Sequence, residues 1–367
     1  MSTTPRRLLG SAVSCALLTG LLASPASAQD ARLASSLDPT IASVDLALEM
    51  FEPGSVDVLV LGRNDQFADN LGGSALAGQV GGPLLLTDGG PDAALRPEVL
   101  DAIGTLVPRT AGLNCDNEPA DVYVLGGDNA VSSGAVEELV IDGYCVERLA
   151  GDSRVETSVA VAREMRERGA PRAFLLARAD SFADSAAAGA YGARFGWPVL
   201  LTSQDALHPA SGAYISEDQE PGVVLDVYVW ILGGTAAVSQ DVEDQVFQQV
   251  GPDRVSRVAG ATRDETSALI ADAFQAAQEE GNASLAVGLV NGFADDGWVY
   301  ALIGGAISPV TNAPILYVQA DGIGDPVARY LDVQKPSSIL VLGPPERVSD
   351  ATAEEARGIA GVAISKE

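Results

Sequence analysis

One ten-residue stretch occurs twice in this chain with nearly the same letters, 109 positions apart. Both copies read Arg-x-Ala-Gly-x-x-Arg-x-Glu-Thr, and they begin at Arg148 and Arg257. A period of this length indicates whole repeated domains, because the units of solenoids recur every ~20–50 residues. The repeat therefore restricts the fold to a tandem array of similar domains.

Shorter motifs recur in the same order around this stretch and extend the array to a third copy. They are Phe-Ala-Asp at 67–69 and 182–184; Pro-x-Leu-Leu-Thr from Pro83 and Pro198, with a weaker copy from Pro314; Leu-Gly-Gly at 125–127 and 232–234, with Leu-Gly at 342–343; and Val-Ser at 131–132, 238–239 and 348–349. We predict three repeats, at residues 38–147, 148–256 and 257–367.

Residues 1–28 have the composition of a secretory signal peptide, and residues 29–37 that of a short linker. Arg6 and Arg7 supply the charged start, an apolar run follows, and Ala-Ser-Ala at 26–28 gives a cleavage site. The apolar run is too short for a membrane span, which needs ~20 residues. We therefore predict an exported protein without a membrane span.

Two cysteines, Cys115 and Cys145, remain after that cleavage. An even number in an exported protein favours a disulfide over a metal site or a nucleophile. The bond would close a loop of about 30 residues, for which the chain-entropy model gives roughly 3–4 kcal/mol of stabilisation. We predict a local cross-link late in the first repeat.

Charge limits the ligands that such a protein can hold. The chain has 22 Lys and Arg against 50 Asp and Glu, a net charge of −28, which becomes −30 when the two arginines of residues 1–28 are removed. So acidic a surface disfavours nucleic acid and anionic lipid as partners. An anionic ligand would need a few focused arginines, or divalent cations that bridge it to the protein.

Helical patterns alternate with short apolar strands in all three repeats, as at Val58–Leu61 and Val122–Leu125 in the first. Continuously apolar strands are typical of parallel sheets covered on both faces. We predict an α/β fold of three tandem three-layer repeats, packed directly together because separate domains would expose apolar faces. The Leu-Gly-Gly turns would then lie at carboxyl ends of strands, where open sheets bind ligands.

Catalysis has little support in the sequence. His208 is the only histidine and occurs in one repeat, so a histidine-based triad or metal cluster cannot recur. No Walker loop, dinucleotide-binding glycine motif or Cys-x-x-Cys pair is present. We therefore expect no enzyme activity, no metal and no cofactor.

Asp69 and Asp184 are candidate ligand-binding residues at strand-to-helix junctions. A structural explanation exists, because the helix dipole favours a carboxylate in the first turn. A ligand or cation role, or a contact between repeats, is the alternative. In the third repeat two counterparts compete: Asp295 repeats the letters Phe-Ala-Asp, whereas Tyr300 follows from an ungapped alignment to Pro314.

Two pairs in the ten-residue stretches, Ser153 with Glu156 and Thr262 with Glu265, have the spacing of capping boxes. In a capping box a hydroxyl and a carboxylate satisfy free backbone donors at a helix start. We predict that both pairs are structural and that each begins a helix.

Capping does not require the arginines of these stretches, so they are the first candidates for ligand binding. The four are Arg148, Arg154, Arg257 and Arg263. Arg154 and Arg263 fall in a first helical turn, where the dipole disfavours cations. Either a carboxylate of a neighbouring repeat or an anionic ligand would compensate, and the sequence leaves both open.

As an ordered set, these motifs resemble the tandem cell wall-binding repeats, type 2, of Gram-positive surface proteins. The resemblance covers about residues 38–365. It implies three repeats packed as a pseudo-threefold trimer of α/β domains, which anchor exported proteins non-covalently to wall polymers. Because the repeats occupy nearly the whole mature sequence, it implies a secreted, stand-alone protein associated with the cell wall.

Two repeats depart from the pattern. The first has Arg32-Leu-Ala-Ser35 and then Thr40 in place of the double-arginine stretch. The third has Gly343-Pro344 for Gly-Gly and Tyr317-Val318 for Leu-Thr. We therefore expect the family's binding site to survive best in the second repeat and at its borders.

The function expected is non-catalytic, non-covalent binding of a cell-wall glycopolymer, which could itself be anionic. Two alternatives stay open: an envelope hydrolase that uses paired aspartates, and a solute-binding protein with its ligand in a cleft between repeats. Other surface proteins remain open as partners, as does the oligomeric state. Arginine pockets are expected to carry the affinity for an anionic polymer, with bridging divalent cations as the alternative.

Overall fold

The computed structural model describes residues 31–108, 115, 119–217, 227–278 and 286–362. The predicted signal peptide lies outside the described residues. Among those residues, no helix has both the length and the apolar character needed to cross a membrane.

Three sheets of four parallel strands form the fold. The strands are β1 Arg32–Leu33, β2 Leu59–Arg63, β3 Leu84–Thr87, β4 Val122–Leu125, β5 Val146–Leu149, β6 Ala173–Arg178, β7 Val199–Thr202, β8 Tyr228–Leu232, β9 Val255–Val258, β10 Ala286–Asn291, β11 Ile315–Val318 and β12 Ser338–Leu342. The spatial orders are β3-β2-β4-β5, β7-β6-β8-β9 and, counted from the other edge, β1-β12-β10-β11. The α/β fold with parallel sheets is confirmed.

Helices connect the strands and cover the sheets. They are α1 Pro39–Met50, α2 Gly73–Val80, α3 Pro97–Leu106, α4 Ser133–Ile141, α5 Arg154–Glu167, α6 Ala188–Phe195, α7 Pro209–Ile215, α8 Gln240–Val250, α9 Arg263–Ala276, α10 Gly297–Ala306, α11 Ser308–Thr311, α12 Asp325–Gln334 and α13 Asp350–Ala360. Residues 183–187, which include Asp184 of the Phe-Ala-Asp motif, form turns before α6 begins at Ala188.

Each sheet turns one face toward a core shared by all three repeats and the other toward a core of its own. In β2, Val60 lies in the shared core, whereas Leu59 and Leu61 lie in the outer core of the first repeat. In β7 the same alternation places Val199 inward and Leu200 outward. Because both faces are buried, the Pro-x-Leu-Leu-Thr strands are apolar up to the buried threonine, Thr87 or Thr202, that ends each of them.

The three prolines that open these strand motifs have one structural role. The carbonyl oxygens of Pro83, Pro198 and Pro314 each accept a hydrogen bond of 2.9–3.0 Å from the backbone of the adjacent central strand. A proline lacks a backbone donor but keeps its acceptor, so it can begin a strand in this position.

Helices α2, α6 and α10 pack against one another at the centre, which gives the pseudo-threefold arrangement. Small residues allow the approach: a Cβ added to Gly78 would clash with Ala193, and one added to Gly189 would lie 2.9 Å from Ser74. The Ser74 hydroxyl donates to the Leu302 carbonyl at 2.8 Å and links the first repeat to the third.

The first strand of the chain completes the last sheet. β1 pairs in parallel with β12, with Arg32 opposite Val341 and Leu33 opposite Leu342. These residues lie in the segment that the sequence suggests as a linker, but they form a strand because β12 offers an unpaired edge. β5 and β9 occupy the same edge position in the first and second sheets.

Cys115 and Cys145 form the predicted disulfide, which spans 30 residues. Both predicted helix starts are confirmed, since Ser153 and Thr262 directly precede α5 and α9, but their bonds differ from those of a capping box. The Ser153 side chain accepts from Val155 N, one residue earlier than in a capping box, and its hydroxyl bonds to Glu156. Thr262 makes no side-chain cap bond, and Glu265 instead accepts from Ala261 N at 2.6 Å.

Candidate functional site

A tight turn follows each strand that ends in the Leu-Gly motif, namely β4, β8 and β12. Gly126, Gly233 and Gly343 have φ values of 83°, 87° and 110°, a conformation that strains residues with a side chain. A serine six residues further on caps the next helix through its side-chain oxygen, which accepts from the backbone of that helix's first turn; the three are Ser132, Ser239 and Ser349. The glycines and serines therefore have structural roles.

The first arginine of each ten-residue stretch holds this turn. Nη1 of Arg148 donates to Gly126 O at 2.7 Å, and Nη1 of Arg257 donates to Gly233 O at 2.8 Å. Arg32 makes the same bond to Gly343 O at 2.7 Å, so it is the counterpart of these arginines in the third sheet.

Most of the Arg257 guanidinium is committed to the protein itself. Nε and Nη2 bond to Glu243 Oε2 at 3.0 and 2.7 Å, and Nη1 also reaches Val238 O at 2.9 Å. Arg148 lies 3.4 Å from Asp128, and burial lowers its pKa. These contacts indicate that both arginines stabilise the turn.

The second arginine of each stretch bonds to a loop that follows a central strand. Nη1 of Arg154 donates to Ala179 O at 3.2 Å, and Nη1 of Arg263 donates to Gly292 O at 2.6 Å. The Arg263 guanidinium also lies 5.3 Å from the ring centre of Phe293 and 6.0 Å from that of Phe182. Both arginines are half-buried and lie near the carboxyl ends of the central strands.

Asp184 joins the second repeat to the third. Burial raises the pKa of its carboxyl group, while a hydrogen bond from Thr266 and the charge of Arg263 act in the opposite direction. Thr266 and Arg263 both belong to α9. The structure therefore brings two predicted site residues, Asp184 and Arg263, into electrostatic contact across a boundary between repeats.

The aspartate of the motif packs against the glycine turn of its own repeat. A Cβ added to Gly126 would lie 3.1 Å from Asp69 Cγ, and one on Gly233 would lie 2.5 Å from Asp184 Oδ2. In the third repeat, a Cβ on Gly343 would lie 3.3 Å from the ring of Tyr300. Tyr300, rather than Asp295, is thus the spatial counterpart of the aspartates.

A pocket of about 210 Å³ opens beside Asp184 at the carboxyl ends of β6 and β8. Its polar lining comes from Arg178, Ser181, Asp184 and Ser185, and its apolar lining from Ala177, Leu232, Ala236 and Ala237. Arg178 is paired with Asp180, and its side chain is 28% exposed. Carboxyl ends of parallel strands are the usual place for ligands in open α/β sheets.

In the first repeat, an arginine spans the corresponding space between the end of β2 and the turn after β4. Arg63 ends β2 as Arg178 ends β6, and it pairs in the same way with Asp65, at 2.6 Å. However, Nη1 of Arg63 continues to Asn129 O at 3.1 Å, and only 10% of its side chain is exposed. Asn70, fully buried, donates to Arg63 O at 2.7 Å.

In the third repeat larger side chains occupy the same place. The phenol of Tyr300 is buried against Gly343, and its hydroxyl donates to Ser36 O at 2.8 Å. Arg347, in the turn after β12, pairs with Asp296 at 2.6 Å. Asn291 donates to Arg347 O at 2.8 Å.

Of the residues that distinguish the three repeats at this place, the sequence marks Asp184 and Tyr300 but not Arg63, Arg178 or Arg347. Arg63 and Arg178 share the pattern Arg-x-Asp, which could have marked them as equivalent. His208 has a structural role, since its ring nitrogen caps α7 by accepting from Ala210 N at 3.3 Å. Within the described residues, no group of three or more His, Cys, Asp or Glu could hold a metal ion.

Three parallel four-stranded sheets around one shared core, with a repeated arginine–turn contact, define a three-repeat α/β protein. The chain belongs to the cell wall binding domain 2 (CWB2) family, whose model matches residues 26–137, 148–243 and 257–353.

Two curated relatives each match most of this chain. The chain is 22% identical to N-acetylmuramoyl-L-alanine amidase LytC of Bacillus subtilis, over 85% of this chain and 55% of the relative. It is 27% identical to the amidase enhancer of the same species, over 73% of this chain and 32% of the relative. It therefore spans about half or less of these curated relatives.

Among solved structures, Cwp8 from Clostridium difficile matches with a TM-score of 0.76 at 21% identity, covering 91% of this chain and 52% of Cwp8. Cwp6 from the same species matches with a TM-score of 0.74 at 18% identity, covering 93% of this chain and 49% of Cwp6. At these identities the likeness shows the shared fold.

Proposed function

We propose that this is an exported, non-catalytic protein that binds a cell-wall glycopolymer non-covalently through its three repeats. The observation that supports this best is the match of the cell wall binding family to each of the three repeats. Export rests on residues 1–28, whose composition is that of a secretory signal. The location that follows is the cell wall, outside the membrane.

The acidic charge of the chain requires that an anionic polymer be held by local groups. Arg148 and Arg257 hold the glycine turns, whereas Arg154 bonds to Ala179 O and Arg263 to Gly292 O, in the loops at the carboxyl ends of the central strands where open sheets bind ligands. A guanidinium with remaining donors can form charge-assisted bonds with phosphate or carboxylate. Arg154 and Arg263 are therefore the arginines that we assign to the polymer.

A hydrolase that uses paired aspartates has less support from the geometry. A glycosidase needs two carboxyl groups within about 5–9.5 Å of each other. Asp69 packs on Gly126 of the first repeat and Asp184 on Gly233 of the second. Burial raises the pKa of Asp184, and the neighbouring groups that act on it, Thr266 and Arg263, lower it, so no second carboxyl group is among the causes of the shift. The amidase activity in the name of one relative belongs to that protein, of which this chain covers 55%.

The test is co-sedimentation of the purified mature protein with the producer's walls, before and after their polymers are stripped. We expect binding to the intact walls, loss of binding after stripping, and no release of wall fragments during incubation. Equal binding to stripped walls would contradict the polymer as ligand, and release of soluble fragments would contradict the absence of catalysis.

A further inference from the structure

The three repeats have one fold but differ at one place, the carboxyl ends of their two central strands. In the second repeat this place is the open pocket of about 210 Å³ beside Asp184. In the first repeat Arg63 reaches across to Asn129 O, and in the third Tyr300 and the Arg347–Asp296 pair fill it. The three repeats thus differ from one another at the strand ends, where open sheets bind ligands.

The size of the pocket suits a small group rather than a long segment. A water molecule occupies about 30 Å³ of liquid volume, so the pocket has room for about seven waters or one sugar ring. Its mouth lies at the turn after β8, where Ala236 is exposed to solvent. A polymer could therefore run past the mouth and insert one residue.

The lining chemistry favours an uncharged, hydroxyl-rich group. Two serine hydroxyls, of Ser181 and Ser185, and the Asp184 carboxyl group can exchange hydrogen bonds with sugar hydroxyls. The one cationic lining group, Arg178, is already paired with Asp180. Leu232 and the alanines supply a small apolar wall for the carbon face of a ring.

We propose that this pocket binds a single uncharged sugar residue of the wall polymer, a hexose or an N-acetylhexosamine, and that each chain has this subsite in its second repeat only. This proposal rests on the proposed function. Such a pocket would let an acidic protein recognise its polymer through the hydroxyl groups of a sugar, in addition to any contact between charged groups.

The three turns supply a matched set of blocking variants. Ala236 has counterparts at Asn129 and Glu346, each four residues after the leucine of its Leu-Gly turn, and all three side chains are exposed. A tryptophan at 236 stands at the mouth of the pocket, whereas a tryptophan at 129 or 346 adds the same bulk to a repeat whose pocket is filled. Since the positions are exposed, all three variants are expected to fold.

The experiment compares co-sedimentation of wild type, Ala236→Trp, Asn129→Trp and Glu346→Trp with intact walls, each checked by its thermal unfolding midpoint. We expect at least tenfold weaker binding for Ala236→Trp and wild-type binding for the other two. Unchanged binding of a folded Ala236→Trp, or an equal loss in all three, overturns the pocket. Failure of wild type to bind walls would instead overturn the proposed function.

Whether the pocket prefers an uncharged sugar is tested by adding a competitor to the wall-binding assay. The competitors are glucose, N-acetylglucosamine, glucuronate and inorganic phosphate, each at millimolar concentration. We expect one of the two neutral sugars to compete with wild type, and to have no effect on the residual binding of Ala236→Trp. Competition through this pocket by glucuronate or phosphate alone would show an anion site and overturn the assignment.

Discussion

Arg32 donates from Nη1 to the carbonyl oxygen of Gly343 at 2.7 Å, across 311 residues of sequence. The bond joins the first strand of the chain to the turn after the last one, and it repeats what Arg148 does for Gly126 and Arg257 for Gly233. The third sheet is therefore completed by the start of the chain, and the ring of three repeats is closed.

We predict that Arg32→Ala lowers the free energy of unfolding by about 1.5–3 kcal/mol, the usual range for a hydrogen bond from a charged donor. Asp350, the other partner of Arg32, is 77% exposed, so Asp350→Ala should cost less than ~1 kcal/mol. Urea unfolding of the two variants measures both. An Arg32→Ala effect no larger than that of Asp350→Ala would contradict a role in ring closure.

Arg257→Ala should destabilise more than Arg32→Ala, measured in the same way. The substitution removes bonds to Gly233 O and Val238 O and leaves Glu243, whose side chain is 12% exposed, without its cation. Breaking a buried pair leaves an uncompensated charge, which is costly. Wall binding per folded molecule should stay unchanged, and a specific loss of binding would instead make Arg257 a ligand residue.

The repeat architecture could be predicted from the sequence because burial on both faces of a sheet restricts the strand residues to apolar types, and the same types recur in each repeat. A strand such as β7, with Val199 in the shared core and Leu200 in the outer one, is buried on both faces and must be apolar from Val199 to Leu201. The letters Arg32-Leu-Ala-Ser35 could be matched to the double-arginine stretch, but they assign Arg32 to the first repeat. The sheet that Arg32 serves could not be predicted, because β1 pairs with β12 and Arg32 bonds to Gly343 O, a contact that only the fold creates.

The pocket could not be predicted for a similar reason. Arg63 and Arg178 are both followed by an aspartate two residues later, so the sequence presents them as equal. The difference is that Arg63 extends to Asn129 O, whereas Arg178 leaves a cavity beside Asp184. The spatial match of Tyr300 to the aspartates also depends on which residue packs against the glycine turn.

Removing the disulfide should lower stability by roughly 3–4 kcal/mol, since it closes a loop of 30 residues. The double variant Cys115→Ser with Cys145→Ser, and wild type treated with reductant, should show the same shift in unfolding midpoint. Reductant should have no further effect on the variant. If reductant leaves the wild-type midpoint unchanged, the bond does not stabilise the native protein.

Asp184→Asn should change the pH dependence of stability in a direction that the pKa shift fixes. Burial raises the pKa of Asp184 above its ordinary value of 3.8, so the folded state binds the proton more tightly than the unfolded state. Its stabilising contribution is present below pH 3.8 and is lost as the pH rises through the raised pKa. As the pH increases from 3.8 through the raised pKa, wild type loses this contribution and the Asn variant does not. The free energy of unfolding of the variant should therefore increase relative to that of wild type over this pH interval.

Asp65→Asn is a control, because the pKa of Asp65 is shifted in the opposite direction from that of Asp184. The bond from Arg63 lowers the pKa of Asp65, so its contribution is present above the ordinary value of 3.8 and is lost as the pH falls through the lowered pKa. The variant should be less stable than wild type at neutral pH, and the difference should shrink in acid. Unfolding midpoints measured from acid to neutral pH test both signs, and equal slopes for the two variants would contradict them.

The salt dependence of wall binding tests whether Arg154 and Arg263 hold an anionic polymer. If they do, Arg154→Ala with Arg263→Ala should weaken binding about a hundredfold or more, because each of the two charge-assisted bonds contributes ~1.5–3 kcal/mol and every ~1.4 kcal/mol is a factor of ten. Wild-type binding should fall with added salt, which screens charges beyond about 8 Å at physiological strength, and should survive a chelator. Co-sedimentation across a salt series, with and without chelator, measures these effects.

A control pair separates specific contacts from a general change of charge. Arg163 and Arg329 have exposed side chains, and Arg163→Ala with Arg329→Ala alters the net charge by the same amount. This pair should bind walls nearly as wild type does, because Arg163 pairs with Glu217 and Arg329 lies in α12, whereas Arg154 and Arg263 bond to the strand-end loops at Ala179 and Gly292. Release of wild type by chelator alone, with the Arg154 and Arg263 double variant still bound, would show that divalent cations bridge the acidic protein to its polymer.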